Sequence, residues 1–428
     1  MRRVILLSSL AYALLFLGLG TLNGGMLALA IPLVVLLGAA FLWRPETPQL
    51  RIVRSLSAES VSPGTPVVVT LSVVNEGSPL EEVAIEDAVP PALEVIDGEA
   101  STLSSLPMGG EIEIAYTVRG KRGAFEFRDV RVAAGEHLGV FRQHATFPVP
   151  GRLFVLPEIS RMRQVAIRPL RTRAYAGCIP ARQGGGGVAF YGVREYQPGD
   201  PLRWINWRVS ARHRHQVFTN EFEQERVADV GLILDARRRS NIRGAGGMLF
   251  EYAVAATASL ALSFLNDGNR VGLLVYGGFL DWTFPGYGRL QRKRILETLA
   301  RAETGASMVF ESFDYLPTRF FPAKSQLVLV SPLCDSDPPM LVQLRARGYQ
   351  LLVISPDPVS FEARMLGAQP DVELAARIAL LERALLLRRL RRAGIQVVDW
   401  QVDQPLDRVV HASLARTPQW FRAVGVEV

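Results

Sequence analysis

The chain has 428 residues, too many for one average domain, and two or three are expected. Its formal charge of +7 and pI near 9.7 come almost wholly from arginines spread along the chain, with Lys121, Lys293 and Lys324 as the lysines; no basic tail or stripe collects, which excludes nucleic acid as a partner. Cys178 and Cys334 stand apart with no CxxC or Cys/His spacing, excluding a disulfide framework and a zinc site and suiting a reducing compartment.

From the N-terminus, Val4 to Leu22 is apolar or small throughout, and Met26 to Trp43 is a second such run, separated by Asn23-Gly24-Gly25. About 19 residues rising 1.5 Å each cover roughly 28 Å, close to the hydrocarbon thickness of a bilayer. A cleaved signal peptide has a shorter core and no second span. Residues 1–45 therefore read as a transmembrane helical hairpin. Arg2 and Arg3 precede the first span, and Arg44, Arg51 and Arg54 follow the second. By the positive-inside rule both termini and the soluble domains lie on the cytoplasmic side of the cell membrane.

Residues 46–159 change to short alternating runs: Val67–Asn75, Val83–Val89, Glu111–Arg119 and Phe125–Ala133, divided by turn clusters such as Ser62-Pro63-Gly64 and Glu76-Gly77-Ser78. This spacing predicts an immunoglobulin-like β-sandwich of about 100 residues. His137 and His144 are isolated in it and read as surface or loop residues.

Residues 160–226 form a connecting segment. Ser160 to Gly187 reads as irregular and Arg-rich, ending in Gly184-Gly185-Gly186-Gly187. Four glycines make a phosphate loop only with a strand before and Lys-Ser/Thr after; here Val188, Ala189 and Phe190 follow, so a flexible loop is expected. Phe190 to Arg226 is then a dense polar and aromatic block. Within it, Pro198-Gly199-Asp200 predicts a turn in which Asp200 bonds its own backbone two residues on. Arg203 is positioned to pair with Asp200 or Glu195, and Trp204 and Trp207 read as large buried anchors. Such a mixture favours a polar plug locking the sandwich onto the α/β domain, with a docking surface as the second reading, since Arg and Trp dominate interface hot spots.

Residues 227–428 alternate strand and helix. Buried strands are expected at Val230–Asp235, Arg270–Gly278, Gln326–Leu333, Tyr349–Asp357 and Ile395–Trp400. Helices are expected at Leu249–Leu265, Gln291–Arg301, Met340–Arg347 and Val372–Arg392, the last closed by a basic cluster before Gly394. Near-continuous apolar strands flanked by helices predict a doubly wound, mostly parallel sheet covered on both faces. Asp235 ends the first strand, where open α/β sheets place their binding crevice.

The block carries a family resemblance. Arg194-Glu195-Tyr196, Gly199-Asp200, Arg203, Ile205-Asn206-Trp207, Ser210-Ala211-Arg212 and the stretch Glu221 to Arg226 follow one another in an order that resembles domain-of-unknown-function family 58, and Val397–Leu406 is similar to that family's closing strand. The resemblance implies a membrane protein with a von Willebrand factor A-like α/β domain, acting as an accessory to a MoxR-type AAA+ ATPase, with no enzymatic activity. It also implies where a Mg²⁺ site would be: Asp-x-Ser-x-Ser at the end of the first strand, completed by a Thr and an Asp on later loops. Mg²⁺ asks for a few hard oxygens and keeps several waters. Here Asp235 is in place, but Arg237 and Arg239 stand where the serines belong and Ser240 falls one position late. Asp335 and Asp337 are candidates for the late acid, Thr304 and Ser307 for the hydroxyl. Two like unit charges about 4 Å apart repel by about 4 kcal/mol at an effective dielectric near 20. Arginines aimed into the site would thus oppose a cation, and one of them is able to pair with Asp235. No divalent metal is expected in the standard manner.

HExxH, GxSxG and Walker A sequences are absent, and no nucleophile–base pairing is readable. His213-Arg214-His215 reads as a solvated basic strand. The expected function is that of a membrane-anchored, cytoplasm-facing scaffold binding a partner protein. The alternative is a metal-dependent receptor of the von Willebrand A type with its α/β domain outside the cell, which the charge placement opposes.

Overall fold

The computed structural model describes residues 2–42, 47–135, 140, 142–165, 167, 172–213, 216–244, 247–307, 310–367 and 369–415. The chain divides into two compact units, Met1–Leu156 and Pro157–Val428.

The first unit begins with two apolar helices, α1 (Arg2–Gly20) and α2 (Gly24–Leu42). Asn23 makes the break between them: its side-chain oxygen accepts the Gly25 N–H at 3.0 Å while its own N–H bonds to the Gly18 carbonyl. By length and composition α2 is able to cross a membrane, and Val4–Gly20 is a shorter apolar helix.

Two sheets follow. They are built from β1 (Leu50–Leu56), β2 (Ser60–Val61), β3 (Val67–Asn75), β4 (Leu80–Asp87), β5 (Leu93–Gly98), β6 (Ser101–Leu106), β7 (Glu111–Gly120), β8 (Gly123–Gly135) and β9 (Arg142–Val155). One sheet has the order β1-β3-β7-β5, the other β2-β9-β8-β4-β6. Strand β3 shows why the period-two reading succeeds: Val67, Val69, Leu71 and Val73 are buried while the residues between them are not. They meet Ile85, Phe127, Val132 and Leu153 of the second sheet in one core. Each such side chain, fully buried, contributes about 1.5–3 kcal/mol.

Arg54, one of the basic residues that follow the second span, has its side chain wholly buried in this core. Its guanidinium donates to both carboxylate oxygens of Asp87 and to the Val149 carbonyl, and lies 5.0 Å from the Phe127 ring centroid. Tyr116 donates its hydroxyl to the same carboxylate. Burial, then the Asp87 hydrogen bond, pushes the Tyr116 pKa far above the usual phenol range. Arg44 and His137 lie outside the described residues, and His144 is exposed on β9 as expected.

The second unit opens with β10 (Thr172–Glu195), antiparallel to the first half of β11 (Phe218–Ala236). The segment read as irregular is therefore strand from Thr172 onward, and the four glycines lie within it. The pairing shifts register between Ala181 and Gly184 and again between Gly185 and Phe190. Glycines carry no side chain to alternate, so the strand has no readable period there and the ladder is bulged.

The second half of β11 enters a sheet ordered β15 (Leu280–Gly286)-β14-β11-β16-β17-β18, in which β14 (Arg270–Gly277), β11, β16 (Gln326–Val330), β17 (Gln350–Pro356) and β18 (Gln396–Trp400) run parallel to one another. The edge strand β15 (Leu280–Gly286) is antiparallel and was not read from the sequence, because Pro285 and Gly286 break its pattern. A small hairpin, β12 (Arg243–Gly244) with β13 (Gly247–Met248), leads into α4 (Leu249–Asn266). That helix is as long and apolar as a membrane span but is mostly buried, a core helix against the sheet. The short α3 (Trp207–Ser210) precedes β11, and α5 (Gly288–Arg301), α6 (Pro338–Ala346), α7 (Pro358–Leu366), α8 (Pro370–Arg392) and α9 (Leu406–Leu414) complete the unit. Leu341, Leu344, Leu387 and Leu390 from α6 and α8 cover one sheet face, packing on Ile233, Leu274, Leu329 and Val353. Helices α4 and α5 lie against the same strands outside that core.

Candidate functional site

The signature block folds around two staples. Strand β10 ends at Glu195, and Gly199 takes φ +111°, a conformation that only glycine adopts readily. This returns the chain so that Asp200 meets Arg194 in a two-pronged ion pair, Nη1 to Oδ2 at 2.8 Å and Nη2 to Oδ1 at 2.7 Å. Asp200 also accepts the Gln197 N–H at 2.9 Å, three residues back and not two residues on as expected. The partner of Asp200 is thus Arg194, not Arg203, whose guanidinium lies 6.0 Å from the Trp204 ring centroid. The Arg194 hydrogen bond, followed by that of Gln197, holds the Asp200 carboxyl below its usual range. Glu221 on β11 approaches Arg194 Nε at 3.6 Å.

The second staple is Ser210. Its hydroxyl donates to the Asn206 carbonyl and accepts the Phe218 N–H, both at 2.8 Å, tying α3 to the start of β11. Asn206 caps α3 by accepting the Val209 N–H at 3.1 Å, and its amide donates to Asn220 at 2.7 Å. Tyr196 is half-buried, while Glu195, Arg203 and Arg212 are exposed. His213 sits in the turn after α3, its ring 4.8 Å from that of Phe218, and not on a strand; Arg214 and His215 lie outside the described residues.

Trp207 overturns its reading as a buried anchor. It is 70% exposed, and Leu202 beside the same turn is 71% exposed; Trp204 is half-buried. Arg194 bonds to Asp200, Asn206 to Asn220, and Ser210 to the backbone of Asn206 and Phe218, while Trp207 stays outside.

At the other end of β11 the expected metal position holds an arginine. Asp235 is fully buried and Arg237 is only 2% exposed. Arg237 Nε and Nη2 donate to the two oxygens of Asp235 at 2.9 and 2.8 Å, and Nη1 and Nη2 donate to the two oxygens of Asp337 at 2.8 Å each. Nη1 also reaches the Glu311 carbonyl at 3.1 Å, and the guanidinium carbon lies over Phe313, 3.8 Å from the ring centroid. Burial alone would lower the Arg237 pKa; the hydrogen bonds to Asp337 and Asp235, with their charges, outweigh it and raise it further above the ordinary arginine value.

The carboxylates are held from behind as well. Ser331, at the end of β16, donates its hydroxyl to Asp235 Oδ2 at 2.6 Å, and the Cys334 N–H donates to Asp337 Oδ2 at 2.7 Å. Of the two candidate acids, the one that meets Arg237 is Asp337, at the N-terminus of α6; Asp335 is exposed. Ser331 supplies a hydroxyl that the sequence reading placed at Thr304 or Ser307. Ser240 turns back to donate to the Arg237 carbonyl at 3.0 Å, and Arg239 points outward to the Ser336 hydroxyl at 2.7 Å. Gly278 and Gly305 let the 302–307 loop lie against the end of β11: a Cβ on Gly278 would stand 2.8 Å from the Gly305 Cα.

A second buried arginine seals the neighbouring strand ends. Arg383 of α8 donates to the Pro332 carbonyl at 3.0 Å, to the Ser355 carbonyl and hydroxyl at 3.1 and 3.0 Å, and to Asp399 at 2.8 Å, with Asp357 at 3.4 Å. Two guanidinium groups thus lie at the carboxyl ends of the parallel strands, where open α/β sheets bind ligands.

A family model for a protein of unknown function, DUF58, matches residues 192–358. The uncharacterised protein Mb1516 of Mycobacterium bovis is 34% identical over 243 residues, covering 49% of this chain and 74% of its own length. The chain belongs to the DUF58 family. The uncharacterised protein YeaD of Bacillus subtilis is also 34% identical, over 203 residues, and here the chain spans about half of the relative, 48% of its length. Among solved structures, the CARDB domain of a Pyrococcus furiosus protein matches 26% of this chain at 15% identity with a TM-score of 0.18, which bears on neither fold nor function. The DUF58 match encloses both staples, Trp207, Asp235, Arg237 and Asp337, and stops before Arg383 and Asp399.

Proposed function

We propose that this DUF58 chain is a membrane-anchored scaffold, facing the cytoplasm, that binds a partner protein through the surface around Trp207. The observation that carries this reading is the exposure of Trp207 and Leu202 on a turn stapled at Arg194–Asp200 and Ser210–Phe218. A large aromatic side chain on a pre-ordered frame loses little entropy on binding and is a typical hot spot. The apolar helices α1 and α2 supply the anchor, and Arg2 and Arg3 favour a cytoplasmic N-terminus. The family resemblance supports a MoxR-type AAA+ ATPase as the partner and a von Willebrand A-like character for the α/β domain.

In this reading the α/β domain works without a divalent metal. The residues do not suit Mg²⁺: the space between Asp235 and Asp337 is taken by the Arg237 guanidinium, which satisfies both carboxylates. The rival receptor reading needs that space open.

Capture from native membranes with the full-length tagged chain, under conditions that trap the ATP-bound state, tests the proposal. An AAA+ ATPase is expected with the wild type and lost with Trp207→Ala; recovery of no ATPase, or equal recovery with both, overturns it. A reporter fused after Val428 tests the orientation, and activity outside the cell would overturn the cytoplasmic placement.

A further inference from the structure

Helix α8 carries two apolar stripes. Val372, Ala376, Ala379, Arg383, Leu387 and Leu390, spaced three or four apart, face the body of the unit and are buried or half-buried. Rotated to the opposite side are Leu374, Ile378, Leu381 and Leu385, each 53–68% exposed. Scattered surface leucines need no explanation, but these four follow the alternating four-three-four spacing of a helix–helix seam. A helix that is apolar on its solvent side marks a contact.

The ends of the stripe indicate what covers it. Three residues outward at each end, the same seam continues as Asp371 before Leu374 and as Arg388 after Leu385, both exposed. The seam therefore runs acid, four aliphatics, base. If a second α8 lies antiparallel, the register that sets Leu374 against Leu385 and Ile378 against Leu381 also sets Asp371 against Arg388, at both ends at once. A parallel pair would place Asp371 on Asp371 and Arg388 on Arg388. Exposed Ala375 and Ala384 flank the seam, with exposed Arg377 and Glu382 at the other flanking positions.

We infer that the exposed face of α8 binds a second copy of this chain as an antiparallel helix pair about a twofold axis between residues 379 and 380. An isologous contact of this kind is the commonest way for chains to pair, and the charge order selects its direction. The inference rests on α8 alone and is independent of the partner bound at Trp207.

Cysteine cross-linking of the full-length chain in its membrane tests it, in a Cys178→Ser, Cys334→Ser background. Differently tagged Asp371→Cys and Arg388→Cys chains, co-expressed, are expected to form a mixed disulfide. Asp371→Cys alone should not, since two 371 positions in this register lie about 26 Å apart along the axis. Leu381→Asp should abolish the mixed disulfide while leaving the chain folded by circular dichroism, because that side chain is exposed in the single chain. With the mixed disulfide between residues 374 and 385 as readout, Arg388→Asp should weaken pairing and Asp371→Arg combined with Arg388→Asp should restore it. A 371–371 cross-link, no mixed disulfide, or a mixed disulfide indifferent to Leu381→Asp would overturn the inference.

Discussion

Arg237 and Asp337, one hundred residues apart, are joined by two hydrogen bonds of 2.8 Å from a guanidinium that is almost entirely buried. With Asp235 on its other side, the arginine ties the end of β11 to the N-terminus of α6. Breaking a buried pair from one side leaves uncompensated charge and costs about 3–5 kcal/mol. Arg237→Ala is therefore expected to lower the unfolding free energy by about that amount in chemical denaturation. Asp335→Asn, at an exposed position, should stay within about 0.5 kcal/mol.

The same variant tests whether the arginine stands in for a metal. Arg237→Ala leaves two carboxylates and the Ser331 hydroxyl converging on one vacated space, a hard-oxygen set. Millimolar Mn²⁺ is expected to raise the melting temperature of Arg237→Ala and leave the wild type unchanged. Micromolar Mg²⁺ or Mn²⁺ binding to the wild type in calorimetry would contradict the metal-free reading.

In the first unit the cluster of Arg54, Asp87 and Tyr116 gives a graded series. Tyr116→Phe removes one hydrogen bond to a charged acceptor and should cost about 1.5–3 kcal/mol. Arg54→Ala strands a buried carboxylate and should cost about 3–5 kcal/mol. Equal losses for the two variants would refute the assignment of Arg54 as the counter-ion.

The Arg194–Asp200 staple should respond to acid. The Asp200 pKa is lowered from 3.8 in the folded chain, so the unfolded chain binds more protons as pH falls through that range. The staple's contribution is present above pH 3.8 and is lost as pH drops through the lower folded value. The melting-temperature difference between wild type and Asp200→Asn should be constant from pH 5 to 7 and shrink below about pH 4.

Cys334 behaves oppositely. Burial, reinforced by the Asp337 charge, pushes its thiol up to about 11. In a Cys178→Ser background, alkylation by iodoacetamide at pH 8 should be far slower than for a free thiol and should accelerate only toward pH 11. A profile with a midpoint near 8.5 would show an exposed thiol.

Much of this architecture was legible because burial leaves a period. Strand β3 alternates, β16 is apolar after Gln326, and α4 is apolar beyond what one face needs. What failed to show was chiefly arginine in unusual places. Arg54, Arg237 and Arg383 are each read by default as solvent-facing, and only the Asp-x-Arg spacing at the end of β11 hinted that one of them turns inward. Trp207 misled in the other direction, since a tryptophan among polar residues suggests an anchor until the Arg194–Asp200 and Ser210 bonds prove to satisfy the frame without it. The glycines of β10 and Pro285 of β15 erased the alternation by which those strands would have been found.

A cation carried on a side chain has no dissociation constant. Where a loaded ion would let the shape of this strand end follow ion supply, chelation or competition among metals, the Arg237 guanidinium is present at full stoichiometry from the moment the chain is made. The arrangement around Asp235 and Asp337 is thereby set by the folded chain itself, with the counter-charge built into its sequence.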